Sequence, residues 1–443
     1  MTPDLSTGFT QQGCAMLIVL VPLALAGMAL TNTGFGRVRS AAHAMLASMV
    51  AIATAAIAYC VCGFSWEGLA GQPAHIFVLD GKPWDWLAHE PFFLHRLGTN
   101  GFPADLAVPL QIFAVGLAAL IPISAGADRW RLRSSCISTA LLAGFTYPLF
   151  AHWVWGGGWL SRLGSTYGLG HGFLDAGGAS TIQMVGGLTA LAVTWILGPR
   201  RGRYPADGIL VAIPGHNIVY VLFGCALMLP GWIGLNCSSA ILFSGAVPSQ
   251  IAIIAVNTIL AGSASSLAAV IVTRVRFGKP DASLCANGWV GGFVASSAVC
   301  SFVMPIMALI VGLIAGVLVT VAVELLEVRL AIDDPGGAIS VHAVAAVWGL
   351  LAVGIVAQIP AAASGVLRSG GPGASGQLLA QLVGIATLLG FVLPMTYCLN
   401  WLLDKISPQR VEPEGERIGM DLHQLGAGAY PEFVIHSNEF SQR

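Results

Sequence analysis

The chain has 443 residues, of which 56% are hydrophobic and only 9% charged, well outside the soluble globular range, in which about a quarter of residues are charged. Its 20 basic and 21 acidic residues leave a net charge of −1. The basic ones sit in small groups rather than on one face, which argues against a nucleic-acid partner and for a polytopic membrane protein.

A helix needs roughly 20 apolar residues to cross a bilayer, and eleven such runs can be cut from the sequence. Their cores are 12–33, 41–63, 107–126, 135–156, 178–198, 209–232, 248–272, 283–303, 305–327, 338–359 and 377–402. An all-α membrane protein with eleven transmembrane helices is therefore predicted. No Lys or Arg precedes Arg37, so the basic start of a signal peptide is missing and the first run is expected to be a retained helix. Sixteen of the 20 Lys and Arg residues fall in loops or tail that this count puts on one side, and only Lys82, Arg96, Arg162 and Arg368 fall on the other. The excess marks the cytoplasmic side, with the N-terminus outside and the C-terminus in the cytoplasm.

Residues 64–106 form the longest outside connection and carry Trp84-Asp85-Trp86 and Pro91-Phe92-Phe93. They are expected to form a loop at headgroup level, part of an aromatic belt. Residues 157–177 form a second outside stretch. Gly312-Leu-Ile-Ala-Gly316 sets small residues four apart, which allows close helix packing in a bundle or an oligomer. The nine cysteines are odd in number and lie mostly in apolar runs, as buried free thiols do. Cys60 and Cys62, one residue apart, lack metal-ligand spacing. No metal site or cofactor is implied. Residues 1–403 are read as the membrane domain and 404–443 as a solvated cytoplasmic tail, too short for a second catalytic domain.

Chemistry at mid-membrane concentrates in one repeated pattern. Asp334-Pro-Gly-Gly-Ala-Ile-Ser-Val-His342 follows Asp175-Ala-Gly-Gly-Ala-Ser-Thr-Ile-Gln183 at an offset of 159 residues, with Gln183 opposite His342. Similar hydrophobic halves with polar residues at matching depth are the trace of a transporter built from internal repeats, with its site at their interface. Stretches 208–273, 282–323 and 335–367 contain no Asp, Glu, Lys or Arg. Such a bundle lacks the carboxylate chain of a proton pump and a charged ring for a hydrated ion. It favours a small solute that crosses in neutral form. His342 is the mid-membrane group able to manage a proton near neutral pH, or else a hydrogen-bonding partner for a neighbouring helix. No nucleophile, base and acid set lies at one depth, so an enzyme is not expected.

Ala151-His152-Trp153-Val154-Trp155-Gly156-Gly157-Gly158 closes the fourth run at the outer face. The Trp155 indole can attract a cation by about 0.5–2 kcal/mol, or serve as an interfacial anchor. Gly231-Trp-Ile-Gly234-Leu235-Asn236-Cys-Ser-Ser239 ends the sixth run at the same face. Its Ser239 hydroxyl either replaces a lost water for an entering ion or packs helices.

In their order, these motifs resemble the ammonium transporter family that includes the fungal and Rhesus-type proteins, over about residues 12–430. The resemblance implies a homotrimer whose subunits each carry a pore between two inverted five-helix repeats, followed by a final helix. It also implies that Trp155 and Ser239 form an outer ammonium site, that Asp175 supports it, and that His342 is one of two facing pore histidines. Gly419-Met-Asp421 through Ala429-Tyr430 resembles the cytoplasmic segment that packs under the pores. Three positions depart from the pattern. The first pore histidine falls on Gln183, whose amide cannot carry a proton. The two phenylalanines expected as the vestibule gate fall on Leu235 and on Ala114, next to Phe113. His423-Gln-Leu-Gly alters the run implied to meet a PII-type regulatory protein. The function expected is an ammonium transporter or channel, with a poorly conducting ammonium sensor as the alternative.

Overall fold

A computed structural model describes residues 5–69, 75–95, 97–98, 101, 104–205, 210–358 and 376–430. The protein is predominantly helical, and among the described residues ten helices are long and apolar enough to cross a membrane. They are Thr10–Phe35, Val38–Glu67, Ala104–Ala125, Leu132–Val154, Ala179–Leu197, Ile218–Phe243, Pro248–Phe277, Pro305–Arg329, Ile339–Val356 and Gln377–Ile406. The eighth predicted run forms the Ala282–Val299 helix, which is less apolar because it carries Asn287, three glycines and three serines. Thirteen of its 18 residues are buried, so it meets protein rather than lipid and has little need of apolar side chains.

Close backbone approach holds the bundle together. A Cβ on Gly27 would lie 2.5 Å from the Gly224 carbonyl oxygen, and one on Gly224 would lie 2.5 Å from that of Gly27. The Thr10–Phe35 and Ile218–Phe243 helices therefore touch backbone to backbone, a contact that dispersion stabilises where lipid offers no hydrophobic drive. Gly312 and Gly316 meet the backbone of Ala261 and Ser265 in the same way. The small-residue pair left open between bundle and oligomer is thus used inside the chain.

Two predicted elements differ from the sequence reading. The sixth helix spans Ile218–Phe243 and not 209–232. Pro214 disfavours helical backbone before it, and the Asn217 side chain caps the helix by accepting from Tyr220 N at 3.1 Å. At the far end Gly245, with φ 67, follows the last turn. Ser239 therefore lies within this helix instead of beyond it. In the connection after the second helix, His75–Leu79 and Lys82–Leu87 form an antiparallel hairpin, where a loop was expected. Asp80 and Gly81 both have positive φ, 51 and 71, as a two-residue hairpin turn requires. Its tryptophans turn inward. Trp84 packs on Trp159 and Trp86 on Trp153 at 4.8 and 4.7 Å between centroids, while Asp85 binds His152 at 3.0 Å and Arg162 at 3.2 Å.

The basic loops form a buried ion cluster at the opposite end. Arg200 donates from its side chain to both oxygens of Asp333 at 2.9 Å and to Asp128 at 3.2 Å. Arg129, fully buried, donates to the carbonyls of Gly198, Ala127 and Asp333. Burial alone would raise the Asp333 carboxyl, but Arg200 and Arg129 outweigh it and hold the group at about 2. The tail docks on this end. Trp130 Nε1 donates to Gln409 Oε1 at 3.0 Å, and Asp421 accepts from the backbone of Ala42 and His43.

Asp333→Asn should cost about 3–5 kcal/mol, because buried Arg129 loses its carboxylate partner and buried Arg200 keeps only Asp128. The loss is read as a lower thermal unfolding temperature in detergent at neutral pH. In the parent this contribution is complete above the unfolded carboxylate value of about 3.9 and fades as pH falls toward the folded value. The gap between parent and variant should therefore narrow below about pH 4.

Candidate functional site

Two matched turns carry the repeated pattern into the bundle. Gly178 and Gly337, equivalent at the 159-residue offset, both take left-handed backbone, with φ 93 and 69. After each comes a six-residue π-helical turn, Ala179–Met184 and Ile339–Val344. Single π turns inside α-helices are common at functional sites. At Gly178 a side chain would also press within 3.2 Å of the Trp155 ring, which makes glycine a requirement of packing as well as of conformation.

Each turn is entered through an aspartate, and the two are satisfied differently. Asp175 accepts from the backbone of Gly178, Ala179, Ser180 and Thr181 at 2.7–3.3 Å and from Ser180 Oγ at 2.5 Å. Burial pushes its carboxyl up and these donors pull it back, leaving it raised. Asp175 is thus fully engaged in holding the turn. At Asp334, Oδ2 accepts from Ile339 N at 2.7 Å while Oδ1 is buried with no protein partner. The position of Ser180 is taken there by Ile339, which has no hydroxyl to give. Burial therefore dominates and pushes Asp334 up to about 7.

The turns bring Gln183 and His342 together. His342 Nδ1 donates to Gln183 Oε1 at 2.7 Å, since a carboxamide oxygen only accepts. His342 Nε2 is then left as the acceptor. Gln183 is fully buried and its Nε2 has no protein partner, and neither have the hydroxyls of Thr181 and Ser340, which are repeat equivalents. Buried polar atoms without partners are uncommon and mark places where a small polar solute or water is accommodated. Beside His342 runs a narrow cavity lined by Met28, Asn32, Cys225, Met228 and Asn287, with about 20 Å³ open to the centre of a water-sized molecule. That is room for about one water.

Next to the first of these turns, half-buried Trp155 donates from Nε1 to the Asp175 carbonyl at 2.9 Å. Leu174, next to that carbonyl, is gripped by Gln381, which accepts from its N–H and donates to its C=O, both at 2.9 Å. One turn earlier Gln377 grips His171 and Gly172 in the same way. Ser239 is 1% exposed and its hydroxyl has no protein partner. Of the expected gate residues, Leu235 is buried in the core and Phe113 is half-buried, and among the described residues Phe113 stacks on no other ring. The ring that meets Trp155 is Phe243, parallel at 4.5 Å between centroids with 12° between planes. Phe243 and the Gln377/Gln381 pair were not singled out in the sequence. The glutamines' spacing of four in an apolar run was the available signal.

A helical membrane bundle with a buried Gln–His contact between matched turns, and a half-buried tryptophan above them, defines a polytopic transport protein. The chain belongs to the ammonium transporter family, whose model matches residues 14–430. It is 33% identical to the ammonium transporter Amt2 of Archaeoglobus fulgidus, over 96% of this chain and 88% of that one. It is 31% identical to ammonium transporter 1 member 1 of Oryza sativa subsp. japonica, over 92% and 82%. Among solved structures, a sensor Amt protein matches with TM-score 0.84 at 26% identity, over 95% of this chain and 99% of that one. Candida albicans Mep2 matches in fold, with TM-score 0.77 at 23% identity over 95% and 90%.

Asp175→Asn should destabilise the protein by roughly 3 kcal/mol, since an amide cannot accept at both oxygen positions and would face N–H donors with its own. Asp334→Asn should behave differently. Its folded value lies above the unfolded value of about 3.9, so the parent loses stability as pH rises from about 4 to 7. Thermal unfolding of Asp334→Asn should therefore change less between pH 5 and pH 8 than that of the parent.

Proposed function

We propose that the protein conducts ammonium or ammonia across the cytoplasmic membrane through each subunit. The observation that carries this reading is the 2.7 Å contact between His342 and Gln183, buried between two repeat-related turns. Ammonium is collected outside at Trp155 and Ser239, where indole attraction and an unpartnered hydroxyl offset its lost hydration. Its proton is either lost to outside water or relayed separately through His342, and only the relayed part carries charge, while the solute passes Gln183 and His342 as a neutral molecule that escapes the desolvation penalty of an ion in a low-dielectric interior. His342 Nε2 offers the passing solute an acceptor, and Gln183 Nε2 a donor. The reading takes the Ala282–Val299 helix as an eleventh span, two inverted five-helix repeats plus a final helix, an outside N-terminus and a cytoplasmic tail from about residue 404. Family likeness supports a homotrimer, while the altered run at His423-Gln-Leu-Gly weakens the case for a PII-type partner of the tail.

A second reading, an ammonium sensor that conducts poorly, is favoured by one feature. Gln183 cannot carry a proton, so the Gln–His pair has half the relay of two facing histidines. In liposomes pulsed with ammonium, the parent should give a small current, Gln183→His a current several-fold larger, and His342→Ala a current at least about tenfold smaller. Saturable ammonium binding with no current at any concentration would move the assignment to the sensor. Trp155→Leu should weaken ammonium binding by about 3- to 30-fold, the loss of one desolvated cation–π contact. Unchanged affinity would make the indole an anchor.

A further inference from the structure

We propose that Phe243 is the lid of the outer ammonium site and the residue that decides which amines reach Ser239; this rests on the assignment of Trp155 and Ser239 as that site. Ser239 and Phe243 are four residues apart on the Ile218–Phe243 helix, hence on one face. Along the axis they are separated by about 6 Å. Phe243 is the last residue of the helix, one turn beyond the unpartnered Ser239 hydroxyl. It lies flat on Trp155 at 4.5 Å.

That spacing leaves no room for a cation between the rings. The indole face turned toward the Ser239 helix is occupied by an internal apolar competitor. An aromatic stack contributes about 0.5–1.5 kcal/mol, and a desolvated cation on indole gains about 2 kcal/mol. The two are close enough that the ring is displaced by ammonium and returns when it leaves. The sequence offers no aromatic pair at the vestibule itself, where Ala114 and Leu235 stand and both are buried. Phe243 supplies the missing closure from one turn further out. Ser244 and Gly245, the latter at φ 67, follow it directly and end the helix, so the residue sits on a terminal turn. Terminal turns fray at low cost, which gives the ring freedom to swing. The helix C-terminus also carries partial negative charge, which favours a cation over the phenyl ring once the ring has moved.

The test uses the full-length protein in detergent and in liposomes. Binding is read as the rise in thermal unfolding temperature with ammonium chloride, compared with sodium chloride. Phe243→Ala should lower the half-saturating ammonium concentration about 3- to 10-fold, because no stack remains to be broken. It should raise the methylammonium response relative to ammonium several-fold. Phe243→Leu, which keeps bulk without a stacking face, should shift ammonium in the same direction while still discriminating against methylammonium, and it guards against simple misfolding of the alanine variant. Weaker ammonium binding in Phe243→Ala, or an unchanged constant with an unchanged amine preference, overturns the lid. Trp155→Leu separates the two claims: if it leaves the parental ammonium response intact, the outer site itself is misassigned and the lid falls with it. A parent that binds but does not conduct leaves the lid standing on its binding signature and removes only the transport reading.

Discussion

In a dry helical interior every backbone N–H and C=O must find its partner within the chain, and the two turns behind Asp175 and Asp334 are where this protein meets that demand with side-chain carboxylates. A left-handed glycine and a π-helical turn break the regular ladder, and the aspartate gathers the freed amides. Because each turn is fixed by its own carboxylate, the side chains that follow are fixed as well. Gln183 and His342 meet at 2.7 Å as a consequence.

The two turns share a plan and differ in chemistry. On the Gln183 side the carboxylate has five donors, including the Ser180 hydroxyl, and is spent on structure. On the His342 side Ile339 takes the serine's place and one oxygen of Asp334 has no partner. The neighbouring Asp333 is spent on Arg200 and Arg129 instead. Adjacent acids in one Asp-Asp-Pro run thus hold opposite protonation behaviour: the one facing arginines is held low and the one facing apolar packing is pushed high. The difference follows from which neighbours each carboxyl meets.

Rigid frames at both faces keep these turns in place. At one end, the hairpin is tied through Asp85 to His152 and Arg162, and Gln377 and Gln381 hold the strand of chain leading to Asp175. At the other end, the tail is pinned through Gln409, Arg410 and Asp421 to segments from the first half of the chain. Between these frames the Trp155–Phe243 stack packs against the apolar core, with Trp155 held by its bond to the Asp175 carbonyl and Phe243 by apolar contact on a terminal helical turn.

Much of this was legible in the residues themselves. Hydropathy alone locates the helices, because a span must be apolar over a fixed length. The 159-residue repeat pairs Gln183 with His342 before any coordinates, because equivalent positions in two related halves lie at equivalent depth. Asp80-Gly81 between two β-prone runs was a hairpin signal masked by the aromatic content around it. The end of the sixth helix was misplaced because Gly231, Gly234 and Asn236 read as a stop, whereas the helix runs through them and Gly245 follows its last turn. Tertiary structure alone decided that Asp333 and Asp334 would titrate apart, that Phe243 and not Phe113 would meet Trp155, and that two glutamines in the last helix would grip the outer loop. Each depends on which distant segment packs alongside. One-dimensional periodicity records which face of a helix is buried, but not what that face touches.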